Sequence, residues 1–347
     1  LADGGDGTAA ILTHHARGQL LDHPVHDPLF RPVRASFGLS ADGSTAFIEM
    51  AQASGLHLLA PAERNCFRTT SLGTGELIAR ALELGATRLV LGIGGSATND
   101  GGMGMAAALG YRFLDAAGGP LSPVGSNLIH LARVDDAGLR FNFAAVDVRV
   151  ACDVDNPLTG PEGASRVYGP QKGASAGEIE QLDAGLKNFA RVVERQFGKA
   201  VEHVPGAGAA GGMGAGAILF LNARLVSGTE LVLEQTGFEK QLEEVQLVIT
   251  GEGKIDGQSL RGKLIQGIVE RAARRGIPVA ALCGILEATP GQIKALGLQF
   301  AASILREPCS LETAMQRSYE GLCHAAFNLV NLYTSGVAAR GAKNEVP

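Results

Sequence analysis

Three clusters in this chain carry the residue types and spacing that chemistry needs. In Gly92-Ile93-Gly94-Gly95-Ser96-Ala97-Thr98-Asn99-Asp100-Gly101-Gly102, five glycines stand among two hydroxyls, an amide and a carboxylate. Glycines let backbone N–H groups converge on an anion, and a helix beginning just beyond favours negative charge, so this is a candidate loop for phosphate or carboxylate. The second cluster is Cys152-Asp153-Val154-Asp155-Asn156-Pro157-Leu158. Carboxylates at alternate positions of a strand end point to one side. With Asn156 they suit a hard cation such as Mg²⁺ or a general base, although an Asp/Asn/Pro turn explains the same residues equally well. The third places Glu252, Lys254, Asp256, Arg261 and Lys263 soon after the apolar run Leu247-Val248-Ile249, a mixture able to hold phosphates, a metal and a substrate carboxylate together.

Two near-matches to familiar motifs are instructive. Gly92 to Ala97 satisfies Gly-x-Gly-x-x-Ala, the dinucleotide fingerprint, with Asp115 near the distance of a ribose-binding acid. That fingerprint needs its third small residue inside the first helical turn, whereas Thr98-Asn99-Asp100-Gly101-Gly102 is turn chemistry. An anion loop is therefore favoured over NAD. Gly257 to Lys263 reads Gly-x-x-x-x-Gly-Lys, but Leu264 replaces the Ser or Thr that would bind Mg²⁺, and the motif begins too far beyond its strand for a P-loop. A nicotinamide-dependent dehydrogenase and a non-catalytic small-acid binding protein are the alternatives to a phosphoryl-transfer reading.

The elements that must position these clusters alternate. Strands are expected at Val33–Phe37 and Thr45–Met50 as a hairpin, at Leu89–Leu91, Tyr111–Leu114, Val146–Cys152, around Val248, at Pro278–Cys283 and at Gln299–Leu305. Helices are expected at Ala9–Gln19, Leu77–Leu84 (capped by Thr74 and Glu76), Met103–Leu109, Glu178–Phe197, Leu264–Arg275, Gly291–Ala295 and Leu311–Leu332. Glu49, in an apolar run, faces either solvent at an edge, the favoured reading, or a site. The Gly/Ala run Pro205 to Gly216 allows close backbone approach, either to a ligand or to another element. Lys172 is the only base in the Gly-flanked loop Gly169 to Ala174, and Asp3-Gly4-Gly5-Asp6-Gly7-Thr8 is a cap and turn or a second Gly/Asp loop. Strands separated by helices imply a parallel, doubly wound α/β sheet.

Composition narrows the function classes. In 347 residues there is no Trp, aromatics make up 5%, and the net charge is −5, so neither base-stacking platforms nor a basic footprint for nucleic acid is present. No apolar run approaches the roughly 20 residues of a membrane span. The five widely spaced cysteines suit buried thiols in a reducing compartment better than disulfides or zinc, so a cytoplasmic setting is expected. Assembly of identical copies is left open.

The Gly92–Gly102, Cys152–Leu158 and Gly169–Ala174 segments, with Pro205 to Gly212 and Ile249-Thr250-Gly251-Glu252-Gly253-Lys254-Ile255-Asp256, resemble bacterial glycerate kinases of the first type. The resemblance runs from Ala2-Asp3-Gly4-Gly5 to about Leu282. It implies ATP-dependent phosphorylation of D-glycerate at the 2-hydroxyl, with ATP and Mg²⁺ as cofactors. It also implies two α/β domains, one flavodoxin-like (1–103 with 240–347) and one inserted mixed domain (104–239), with the site in the cleft. On this view Gly94, Gly95, Ser96, Asn99, Gly251 and Gly253 cradle anionic groups, with Asp100 and Glu252 beside them. Lys254 and Lys263 offset developing charge, and Asp153 and Asp256 serve as Mg²⁺ ligand or base, with Asp3 in reserve. The family pattern differs at three places. A strand ending in Pro-Asp-Ser-Phe-Lys is expected ahead of residue 1, Lys254 stands where Arg is usual, and Gly284-Ile285-Leu286-Glu287 replaces a Gly-Ser turn.

Overall fold

The computed structural model describes residues 7–256 and 263–344, and the chain divides into two compact units, 1–236 and 237–347. Asp3, Asp6 and Gln258 to Gly262, including Arg261, lie outside the described residues.

The first unit is built on a six-stranded mixed sheet. Its strands are β1 (Gln19–His26), β2 (Pro32–Leu39), β3 (Thr45–Glu49), β4 (Arg88–Gly92), then β7 (Asp147–Ala151) and β8 (Arg224–Val226), in that spatial order. Strands β5 (Arg112–Leu114) and β6 (Arg133–Asp135) form a separate antiparallel pair. From β3 to β8 the neighbours run parallel, joined by helical crossovers, and their buried apolar runs fit a sheet covered on both faces. The antiparallel β1–β2 edge was not expected, because Leu20-Leu21-Asp22-His23-Pro24 carries no clean alternation and its Pro24 can be placed only where no ladder N–H is required. Its core runs through Phe37, Ile48, Leu77, Leu89, Leu91, Val150, Phe189 and Phe220.

β4 pairs with β7 residue for residue, Arg88 with Asp147 through Gly92 with Ala151. One sheet thus draws strands from both sides of residue 103, and the division into compact units falls after Thr236. The helix expected from Leu77 starts at Leu72, so Thr74 and Glu76 lie within it and do not cap it. Thr74 shares a hydrogen bond with Ser54, and Glu76 accepts from the backbone N–H of His26 at 2.7 Å. Glu49 does not face solvent at an edge: its buried carboxylate accepts from the Ala9 N–H at 2.7 Å, at the start of helix Thr8–His15.

The Gly/Ala run forms helix Ala209–Phe220, whose first turn is left-handed at Ala210, Gly211 and Gly212. A methyl on Gly211 would stand 2.0 Å from the Thr98 carbonyl oxygen, so here the small residues serve packing against the loop after β4.

The second unit holds a three-stranded parallel sheet, β9 (Val248–Ile255), β10 (Val279–Leu286) and β11 (Phe300–Ser303), in the order β11-β10-β9. Helices Lys263–Arg274, Pro290–Ala295, Leu311–Gln316 and Ser318–Asn344 accompany it. Among the described residues no helix is long and apolar enough to cross a membrane. All five thiols are unbridged; Cys66 and Cys283 are buried as expected, but Cys309 and Cys323 are exposed.

Candidate functional site

In the first unit the parallel strands β3, β4 and β7 end side by side, which is where open α/β sheets place their ligands. After Gly92 the chain turns through Gly94 and Gly95, the latter at φ +69°, where a side chain would be strained. Two backbone bonds fix this turn, from Leu56 N–H to the Gly95 carbonyl and from Ala97 N–H to that of Ser54, each 2.9 Å. A cleft of about 530 Å³ opens beside it, lined by Gly94, Gly95, Ser96, Asp153, Tyr168 and Lys172 among others. Among the described residues the charged side chains lining it are one carboxylate, Asp153, and one ammonium, Lys172.

Lys172, singled out above only as the one base in its Gly-flanked loop, is central to the cleft. It closes the turn Pro170–Lys172 and is 3% exposed. Its Nζ donates to Ser96 Oγ and to the Thr98 carbonyl, both at 2.8 Å. Both acceptors are neutral, so burial dominates and lowers its pKa from the ordinary lysine value to about 8, with Cys66 and Asp100 opposing the shift. The only sequence signal was a single base held between glycines.

Asp153 lies just beyond β7, with Oδ1 accepting from Ser227 Oγ at 3.0 Å and from Gly228 N–H at 3.3 Å, at the start of helix Gly228–Gln235. That fixes the carboxylate at the cleft. Asp155 is exposed and is not a second lining acid: β7 stops at Ala151, so strand alternation no longer governs these residues. Asn156 accepts from the Tyr168 hydroxyl at 2.6 Å and donates to the Glu162 carbonyl at 2.8 Å, the internal bonding of a turn.

Asp100 and Asn99 stand behind the cleft lining. Asp100 is fully buried, accepting from the N–H and hydroxyl of Ser71 at 2.8 and 2.7 Å and from the N–H groups of Gly102 and Gly104 at 3.1 Å. Burial pushes its pKa up, while these four donors pull it back. In contrast to the expectation of a ligand-binding acid, Asp100 ties together the starts of helices Leu72–Glu83 and Met103–Ala108. Asn99 donates to Ser165 Oγ at 3.0 Å, while its Oδ1 and Thr98 Oγ1 are buried without a protein partner.

The same geometry disposes of the dinucleotide reading. Ala97 precedes the helix by a full polar turn, since the helix begins at Met103. Asp115 closes its own turn by accepting from Ala117 and Gly119 N–H, beyond a strand of the separate β5–β6 pair.

In the second unit the expected loop after a short strand is instead more strand. β9 continues to Ile255, with Gly251, Glu252 and Lys254 opposite Leu282, Cys283 and Ile285 of β10. Gly253 lies against Gly284, where a methyl would meet the Gly253 carbonyl oxygen at 2.7 Å, so the glycines here permit close strand approach. Lys254 Nζ lies 3.3 Å from Asp256 and 2.9 Å from Glu287, which raises its pKa, Glu287 contributing most. The turn that departs from the family pattern thus supplies the partner of the residue that departs as well. Lys263 opens helix Lys263–Arg274, and its side chain lies outside the described part. Among the described residues no three His, Cys, Asp or Glu side chains gather as a metal site.

Comparison with known proteins places these features. The family described as "Glycerate kinase family" matches residues 1–334. A "Glycerate kinase" of Halalkalibacterium halodurans is 46% identical over 95% of this chain and 87% of its own. A "Glycerate 2-kinase" of Escherichia coli K12 is 44% identical over 98% of this chain and 90% of its own. The crystal structure of a Salmonella typhimurium LT2 protein, named provisionally as glycerate kinase 2, superposes with a TM-score of 0.89. It is 43% identical, with 97% of this chain and 88% of that one covered.

Proposed function

The chain belongs to the glycerate kinase family, and from that premise we propose that it phosphorylates D-glycerate at the 2-hydroxyl with ATP, releasing 2-phosphoglycerate and ADP. The observation that carries the reading is the match across residues 1–334, which includes every segment at the cleft.

Phosphoryl transfer asks the protein mainly for positioning and for charges that stabilise the transferring group. Gly94, Gly95 and Ser96 form a turn whose backbone a small anionic substrate can approach. Asp153, held by Ser227 and Gly228, accepts a hydrogen bond from the substrate hydroxyl and keeps it oriented. Lys254, with Lys263, offsets negative charge on the phosphates, and Gly251, Glu252 and Gly253 belong to the same strand as Lys254.

Mg²⁺ usually keeps several waters and takes only one or two carboxylates besides substrate phosphates, so a single acid, Asp153 of the first unit or Asp256 of the second, would suffice to hold it. Each is a candidate for metal ligand or base. When bound, the cation supplies neutralisation of the β- and γ-phosphate charge.

The test is ADP release with ATP, Mg²⁺ and D-glycerate beside a control without glycerate, with the product identified by ³¹P NMR. Glycerate-dependent ADP and a 2-phosphate ester are expected; absence of glycerate-dependent ADP would refute the reading.

A further inference from the structure

Resting on the kinase reading, we propose that Lys172 and Ser96 together form the subsite for the carboxylate of the hydroxy-acid substrate, inside the cleft of the first unit. Three observations lead there. Lys172 is a cation almost wholly removed from water whose two hydrogen-bond acceptors are both neutral, and the nearby buried Asp100 is bonded to four other donors, so no carboxylate is hydrogen-bonded to the ammonium. Ser96 Oγ accepts from that ammonium, so its own O–H must point elsewhere, and among the described residues no acceptor receives it. A hydroxyl polarised by an ammonium is a strong donor toward an anion. Both residues line the cleft.

The charges select the ligand. A polyphosphate is held best where several cations converge, whereas the charged side chains lining this cleft among the described residues are one ammonium and one carboxylate. One positive and one negative wall suit a small monoanion that also carries hydroxyls: its carboxylate accepts from Ser96 and Lys172, and a hydroxyl donates to Asp153. The phosphate cradle is thereby assigned away from Ser96, which refines the role expected from the sequence. Thr98, whose carbonyl accepts from Lys172, is itself held against Gly211, so the ammonium is fixed by backbone rather than by a flexible partner.

The test compares wild type with Ser96→Ala, Lys172→Met and Lys172→Arg. Affinity for D-glycerate is measured by calorimetry without nucleotide, and KM for D-glycerate and for ATP is measured in turnover. Glycerol, which lacks the carboxylate, is the control ligand. Lys172→Met should weaken D-glycerate by roughly thirtyfold or more and Ser96→Ala by roughly tenfold or more, as loss of charge-assisted contacts predicts. Lys172→Arg should recover part of the loss, while KM for ATP and the response to glycerol stay as in wild type. Unchanged D-glycerate affinity in folded variants, or a loss confined to ATP, would overturn the assignment. If Lys172→Met does not fold, Ser96→Ala decides alone. Glycerate binding that depends on Lys172 without ADP release would uphold the subsite and sink the kinase reading; ADP release with no dependence on either residue would do the reverse.

Discussion

After β4 the chain buries two opposite charges, Asp100 and Lys172, and surrounds each with neutral partners. Along β9 it leaves Lys254 at the surface between two carboxylates, Asp256 and Glu287. A carboxylate withdrawn from water has to be met by donors in fixed places, and Asp100 meets four of them. Such a region is stiff, and its shape depends on each bond. The β9 cluster keeps its hydration, gains little from its ion pairs and can exchange them for a ligand's charge. One region builds a wall of defined shape; the other presents a charge that can move.

The contrast can be broken most severely at Asp100. Asp100→Ala should cost on the order of 4 kcal/mol of unfolding free energy, because three backbone N–H groups and a hydroxyl lose a buried acceptor. Urea titration checks this, and a loss too small to detect would mean that the loop does not rest on its buried acid. Gly211→Ala should follow, at roughly 3 kcal/mol, because the added methyl meets the Thr98 carbonyl at a backbone angle of φ +72°.

Lys172 sharpens the comparison through pH. Its pKa is about 8 in the fold and near 10.5 when unfolded, so between those values the unfolded chain binds the extra proton and stability rises with pH. Relative to Lys172→Met, wild type should gain up to roughly 3 kcal/mol between pH 8 and 10.5. Over the same range D-glycerate binding should weaken as the ammonium is lost. Parallel denaturation and calorimetry series would read the two opposite trends, and trends of equal sign would contradict this account.

The smallest effect on stability is expected at β9. Lys254→Met should leave the unfolding midpoint unmoved within error while turnover falls by about two orders of magnitude, as for removal of one charge-stabilising donor. A shifted midpoint with normal turnover would reverse the assigned roles.

Much of this was legible before any coordinates. Leu89–Leu91 followed by glycines reads as a buried strand and anion loop because apolar runs and φ-permissive residues carry their conformations locally. The helix over Ala176–Phe197 was equally plain, its apolar positions recurring at helical spacing. Asp153 could be picked out as the acid at a strand end. Other features were hidden because they depend on partners distant in the chain. Asp100 and Asp153 are the same residue type in similar turn-rich surroundings. Only Ser71 and Gly104 around the first, and Ser227 and Gly228 behind the second, make one a structural tie and the other a cleft wall. Glu252 and Lys254 looked like loop residues because glycines usually end strands, and the facing Gly284 is what allows β9 to continue.

The sequence by itself therefore determined the alternation of strands and helices, the positions of the glycine turns and, through its segments, the family. Periodicity and turn chemistry act between near neighbours and need no fold to be read. Tertiary structure alone decided which charges are buried. Burial of Lys172 depends on Ser96 and Thr98, more than 70 residues away in the chain, closing over it. The electrostatic character of that ammonium follows from the water they exclude, a property no single stretch of sequence contains.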